Sequence, residues 1–302
     1  MPKKTGFFHI VCSLCATFFI FLASAPLITL AIPTTQFIPL APITAQTQAA
    51  EKENSPAILS ETNTALSMKS VNQPEYDMFT FAERQERKLP SILPTTEPFY
   101  GPKIIYLTFD DGPDAENTPV VLDILQKHNI KATFFVLGTE IEKYPALLKR
   151  IYEEGHGIGN HSYNHIYREL YQSPNTYIDQ LHHTDEIMKS VLGVRPRISR
   201  APGGSAGSFT AAYWNLLKNQ GYIEVGWNIS SGDASSAKAD QILKKIIKQT
   251  EDNTFLWSHA ILLMHDGKGH TETVKALPNI IKFYKEHGFE FHIINSKTPP
   301  AW

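Results

Sequence analysis

From Pro102 onward, short apolar runs alternate with stretches whose apolar residues recur every three or four positions. The apolar runs predict strands at Ile104-Phe109, Ala132-Leu137, Gly157-Asn160, Arg197-Arg200, Tyr222-Trp227, Ile261-His265 and Phe289-Ile294. The amphipathic stretches predict helices at Thr118-His128, Pro145-Glu154, Tyr177-Leu192, Thr210-Asn219, Asp240-Thr250 and Thr271-His287. Asn117 or Thr118 before Pro119, and Ser173 before Pro174, read as N-caps. Gly155, Gly193, Gly221 and Gly288 each follow a predicted helix, where a left-handed stop is needed. Strands alternating with helices in this way predict an α/β fold, either a parallel barrel or an open wound sheet. A span of about 200 residues suits a distorted or incomplete (β/α) barrel of about seven parallel strands. The expected catalytic domain covers residues 100–302.

The chain before it differs in kind. Lys3 and Lys4 precede a segment with no Asp, Glu, Lys or Arg until Glu51, and Phe7 to Ile32 is mostly apolar. Residues 1–32 therefore read as a cleaved export signal or as an uncleaved membrane anchor. The positive end lies inside, so the remainder is expected outside the cytoplasm, secreted or held at the membrane facing the cell wall. Residues 33–99 are rich in Thr, Ser, Ala, Gln and Pro and read as a flexible linker, with a weak helical stripe over Met78 to Leu89. Both cysteines, Cys12 and Cys15, fall in the leader, so any metal held by the rest of the chain needs His and carboxylate ligands. A formal net charge of -2, from 28 basic and 30 acidic residues, gives no basis for a nucleic-acid partner.

Chemistry-bearing residues collect at one end of the predicted strands. Asp110 and Asp111 end the first, His161 and His165 follow the third, Arg200 ends the fourth, Asp233 follows the fifth and His265 ends the sixth. In parallel barrels that end carries function. Gly112 and Pro113 break the first strand, so a loop lifts the two carboxylates into a pocket. His161 and His165 are four apart; on a helical turn they share a face and grip one ion. By itself that spacing is weak, and exposed helical histidines are commoner. Asp111 completes a set of two nitrogens and one oxygen, which matches a catalytic zinc site with open positions. Cobalt, nickel, manganese or iron would also suit it.

The motifs, taken in order, resemble the NodB-homology domain of polysaccharide deacetylases, carbohydrate esterase family 4. Thr108-Phe109-Asp110-Asp111 resembles the first motif and His161 to His165 the second. Arg200-Ala201-Pro202-Gly203-Gly204 resembles the third, Trp227 to Asp233 a variant of the fourth, and Leu262-Leu263-Met264-His265 the fifth. The resemblance implies a metal-dependent hydrolase that removes acetyl groups from amino sugars. It implies that Asp111, His161 and His165 hold one divalent metal, that Asp110 is the general base oriented by Arg200, and that His265 is the general acid held by Asp233. A backbone amide near Gly203 would help stabilise the oxyanion. Trp227 would supply a wall for sugar or simply belong to the core.

Two departures bear on substrate. Gly203 and Ala234 stand where the family often carries aromatics, and Asn228 and Ser230 replace frequent acids. The leading expectation is a cell-envelope N-deacetylase acting on N-acetylglucosamine or N-acetylmuramic acid of peptidoglycan, working as a monomer. The membrane is a partner only if the leader stays uncleaved. An O-acetyl esterase on a glycan such as xylan, and a non-catalytic carbohydrate-binding module, are the competing expectations. His182, His183, His259 and His270 are assigned to no site and read as scattered surface histidines.

Overall fold

The computed structural model describes residues 56–60 and 71–301; the expected leader, residues 1–32, lies outside them. Three short elements come first: β1 (Ala57–Leu59), β2 (Glu75–Asp77) and α1 (Phe81–Glu86). Strands and helices then alternate: β3 (Ile104–Asp110), α2 (Asn117–His128), β4 (Thr133–Val136), α3 (Gly138–Lys143), α4 (Pro145–Glu153) and β5 (Gly157–Asn160). Next come α5 (Tyr167–Leu170), α6 (Pro174–Leu192), β6 (Arg195–Pro196), β7 (Ile198–Ser199), α7 (Ala211–Asn219), β8 (Ile223–Glu224) and β9 (Ile229–Ser230). The chain ends with α8 (Ala239–Asp252), a 3-10 turn at Thr254–His259, β10 (Ala260–His265), α9 (Thr271–Glu286) and β11 (Glu290–His292). Among these described residues no helix is long and apolar enough to cross a membrane.

The main sheet runs β8-β7-β5-β4-β3-β10-β9, with β11 also paired to β3. Its pairings are parallel, and β8 and β9 form the two open edges. The result is the distorted, incomplete barrel expected from the sequence. β3 shows how it is built. Ile105, Leu107 and Phe109 join the large cluster packed under the helices, whereas Ile104 and Tyr106 join a second cluster with Phe135, Ile198 and Ile261. That period of two puts Thr108 and Asp110 on the same face as Ile104 and Tyr106. A carboxylate thus ends a strand that is buried along its whole length.

Several local expectations change. The strand foreseen over Tyr222-Trp227 shrinks to β8, and an unforeseen strand, β9, takes the far edge. Neither Asn117 nor Thr118 caps α2; the Asp114 carboxylate accepts from the backbone N–H groups of Glu116 and Asn117 instead. Ser173 does cap α6, accepting from the Thr176 N–H.

The segment expected to be linker carries β1, β2 and α1. β2 pairs antiparallel with β6, and Thr80 and Glu83 close a capping box at the start of α1. Asp77, Arg84 and Arg195 are fully buried together. Asp77 accepts from Arg84 Nε at 2.6 Å and from Arg195 at 3.0 Å, and Asp185 accepts from Arg195 at 3.2 Å. Beside them, Arg197 pairs with Glu75. A polar composition hid this segment from sequence reading because Asp77 and Glu75 find arginine partners more than 100 positions away.

Candidate active site

Residue Asp111 sits just beyond β3 at φ 74°, a left-handed turn that Asp tolerates better than most residues. Gly112 follows because there is no room for a side chain: a Cβ there would lie 2.5 Å from the Asp266 carboxylate. The backbone is held by Asp111 N–H on Phe135 O and by Leu137 N–H on Gly112 O. The turn aims Asp111 at two imidazoles. Its Oδ1 lies 3.4 Å from His161 Nε2 and 3.5 Å from His165 Nε2.

His161 and His165 are not on a helix. Ser162 (φ 76°) and His165 (φ 58°) both adopt left-handed conformations, so the chain coils into a loop after β5. Asn160, at the end of β5, accepts from the Ser162 N–H and donates to Leu181 O and Asp185. Ser162 Oγ then accepts from the His165 N–H. The four-residue spacing brings the rings to 5.2 Å between centroids by this looped route. His161 Nδ1 is 2.8 Å from Arg200 O, which makes it the donor and leaves Nε2 with its lone pair toward Asp111.

These three side chains fit a divalent cation. Their ligand atoms lie within 4.8 Å of one another, and Asp111 Oδ1 is buried without a hydrogen-bond partner. Two neutral imidazole nitrogens and one carboxylate form a donor set suited to zinc. Burial opposes ionisation of Asp111, yet when the rings carry protons the hydrogen bond from His161 and the charges of His161, His165 and His265 hold its carboxyl well below the usual range, a role that a bound cation would take over.

Asp110 is buried beside this cluster, its Oδ2 3.8 Å from His161 Nε2. Arg200 donates to its Oδ1 at 2.9 Å, to Thr108 Oγ1 at 2.7 Å, and to the carbonyls of Val225 and Gly226 at 3.0 Å. Arg200 thus makes a single contact to Asp110. The remaining donors fix the guanidinium, which lies 4.1 Å from the Phe135 ring centre.

His265 ends β10 directly opposite Asp110 in the parallel register. Asp233 holds it twice, through His265 Nδ1 and the His265 N–H, both at 2.8 Å. Ser231 and Thr273 also donate to Asp233. Burial alone lowers the pKa of His265. The Asp233 hydrogen bond and the charges of Asp110, Asp233 and Asp111 outweigh it and push the value up to about 9. His270, expected to be ordinary surface, stacks on His265 at 4.8 Å, with its Nδ1 4.0 Å from Asp233. Its spacing from His265 carries no motif, so nothing in the sequence pointed to it.

Gly203 is exposed on the loop after Arg200, at φ 71°. Trp227 is half-buried against the inner cluster and its ring touches the position a Gly204 Cβ would take. It serves packing at least as much as any wall. Asn228 ties strand ends together, accepting from Ile261 N–H and donating to His259 O and Ala301 O, which explains a neutral amide there. A cavity of about 380 Å³ opens beside the cluster, bordered by Asp111, Leu137, Glu140, Lys143, His165 and Lys268.

Comparisons with known proteins agree with this geometry. A family model described as polysaccharide deacetylase matches residues 100–225. A Bacillus cereus peptidoglycan-N-acetylglucosamine deacetylase is 38% identical over 197 residues, covering 64% of this chain and 67% of its own. This chain belongs to the polysaccharide deacetylase family. A Streptococcus mutans CE4 esterase superposes with a TM-score of 0.61 at 32% identity, covering 65% of this chain and 87% of its own. The catalytic domain of a Eubacterium rectale peptidoglycan N-acetylglucosamine deacetylase gives 0.60 at 32% identity, covering 68% of this chain and 94% of its own. The deacetylase thus carries the NodB-homology fold of carbohydrate esterase family 4, and its hydrolase class follows from that membership.

Proposed function

We propose that this deacetylase hydrolyses the N-acetyl group of N-acetylglucosamine or N-acetylmuramic acid in peptidoglycan, using one divalent cation, best suited to be zinc. The observation that carries the reading is the convergence of a buried acid fixed by an arginine and an imidazole fixed by an acid on one Asp–His–His cluster. Two of the relatives are peptidoglycan N-acetylglucosamine deacetylases, and the leader points to the cell envelope, where that substrate lies.

Asp111, His161 and His165 would hold the cation, which when bound would polarise the acetyl carbonyl and lower the pKa of a water. Asp110 takes the proton of the attacking water. Arg200 holds Asp110 in place, and its own carbonyl fixes the tautomer of His161. His265 carries its proton on the nitrogen turned away from Asp233 and gives it to the departing sugar amine, so the C–N bond breaks without expelling an amide anion. A backbone amide near Gly203 would help stabilise the developing oxyanion.

The test is acetate release by the full chain, with zinc or cobalt, from N-acetylchitooligosaccharides, peptidoglycan and acetylated xylan. Release from the first two supports the proposal; release from xylan alone replaces it with O-deacetylation; release from none removes it. Chelation is expected to abolish turnover, and zinc to restore it. His161→Ala is expected to lower bound metal from one per chain to near zero, measured by elemental analysis after dialysis.

Because the pKa of His265 is raised, its acid form persists below that value and is lost as pH climbs through it. A cation at Asp111 subtracts from the upward push, so the alkaline limb of kcat is expected between the ordinary imidazole value, about 6.5, and about 9. Asp233→Asn removes the largest stabiliser of the charged ring, and the limb should move to lower pH. An unmoved limb in the pH–rate profile would rule out His265 as the acid.

A further inference from the structure

One aromatic residue beside the cluster belongs to no motif. Tyr167, the first residue of α5, is 51% exposed although its ring lies 5.2 Å from that of His165, inclined at 61°. Exposed tyrosine on a short helix is usually mobile and unremarked, but this one is anchored. It stacks on Tyr171 at 6.0 Å and 16°. The Tyr171 hydroxyl donates to Pro202 O at 2.6 Å, and its ring continues into Tyr177 and Tyr213, which belong to a buried cluster. The stack holds the Tyr167 ring between the loop that carries His165 and the loop that carries Gly203.

Gly203 and Tyr167 are complementary. A Cβ at 203 would lie 2.8 Å from the Tyr167 hydroxyl oxygen and 3.1 Å from its ring. An aromatic at 203 and the observed position of Tyr167 exclude each other. The wall missing from one loop is thus supplied from the facing one.

We infer that Tyr167 is the platform on which a pyranose ring next to the N-acetylated residue stacks, taking the place of the wall that Gly203 leaves open. This rests on the glycan-deacetylase reading of the same site. An aromatic face is apolar enough to desolvate the C–H face of a sugar, while its hydroxyl meets the sugar's own. Contact with a ring remote from the reacting amide is equal in ground and transition state, so it lowers KM and leaves kcat unchanged.

The experiment compares wild type, Tyr167→Phe and Tyr167→Ala on N-acetylchitotetraose and on N-acetylglucosamine monomer. Tyr167→Ala is expected to raise KM for the tetramer about tenfold, with kcat within about twofold. Monomer kinetics, metal content and melting temperature should stay at wild-type values, and Tyr167→Phe should recover most of the tetramer KM. An unchanged tetramer KM in Tyr167→Ala, or an equal loss on monomer and tetramer, overturns the platform while leaving the deacetylase reading intact. If wild type releases acetate from no glycan, the function proposal falls. Calorimetric binding of the tetramer then decides the platform: weaker binding by Tyr167→Ala supports it, and equal or absent binding overturns it.

Discussion

Replacing Asp110 with Asn is expected to reduce kcat on N-acetylated glycan by about 10²- to 10⁴-fold, the range that positioned acid–base groups supply. The substitution keeps shape and leaves an amide oxygen that can still accept from Arg200, now 2.9 Å away. Only the capacity to take a proton is lost. KM should change little, because Asp110 is buried behind the cluster rather than lining the cavity. Metal content should stay at one ion per chain, since Asp111, His161 and His165 are untouched. Steady-state kinetics with elemental analysis separates the alternatives. Loss of metal along with activity would make Asp110 a ligand. Full retention of both would remove it from the reaction, and the proposed roles of Arg200 and Asp110 would fall together.

Much of the site was legible because barrel topology turns sequence order into position. Each strand of a parallel sheet delivers its last residue to the same rim, so Asp110, Arg200 and His265 could be placed together from strand ends alone. What stayed hidden depends on backbone conformation or on contacts between distant residues. The spacing of His161 and His165 fits a helical turn as well as it fits a loop with two positive φ angles, and the sequence does not separate them. Tyr167 and His270 reach the site by folding of loops whose lengths obey no rule of period, and neither has a motif to announce it. β8 and β9 are each two residues long, too short for alternation to register. Residues 71–99 misled for a different reason: buried charge looks like surface until its partners are known.

That buried charge sets the second large expectation. Asp77→Ala should destabilise the folded unit by roughly 3–5 kcal/mol, the usual consequence of removing one partner from a buried ion pair. Asp77 is the carboxylate shared by Arg84 and Arg195, and all three are shielded from water. Its removal leaves two guanidiniums competing for Asp185 and for backbone carbonyls already in use at Phe79 and Pro90. For a unit of about 230 residues, such a loss lowers Tm by roughly 6–20 °C. Restoring charge balance without charge should undo much of it. Asp77→Leu with Arg84→Met removes one charge of each sign and leaves Arg195 paired with Asp185, and such replacements of buried ion pairs are often neutral or stabilising. Thermal unfolding of the single and double variants, with zinc held constant, distinguishes the causes. A single variant as stable as wild type would mean that residues 71–87 contribute little to holding the barrel. In that case the segment would be a linker after all, and its deletion should leave activity and Tm unchanged. A large loss in the single variant and recovery in the double would instead show that an N-terminal strap, clamped through Arg195 to Asp185 of α6 and through Arg197 just before β7, is part of the catalytic unit.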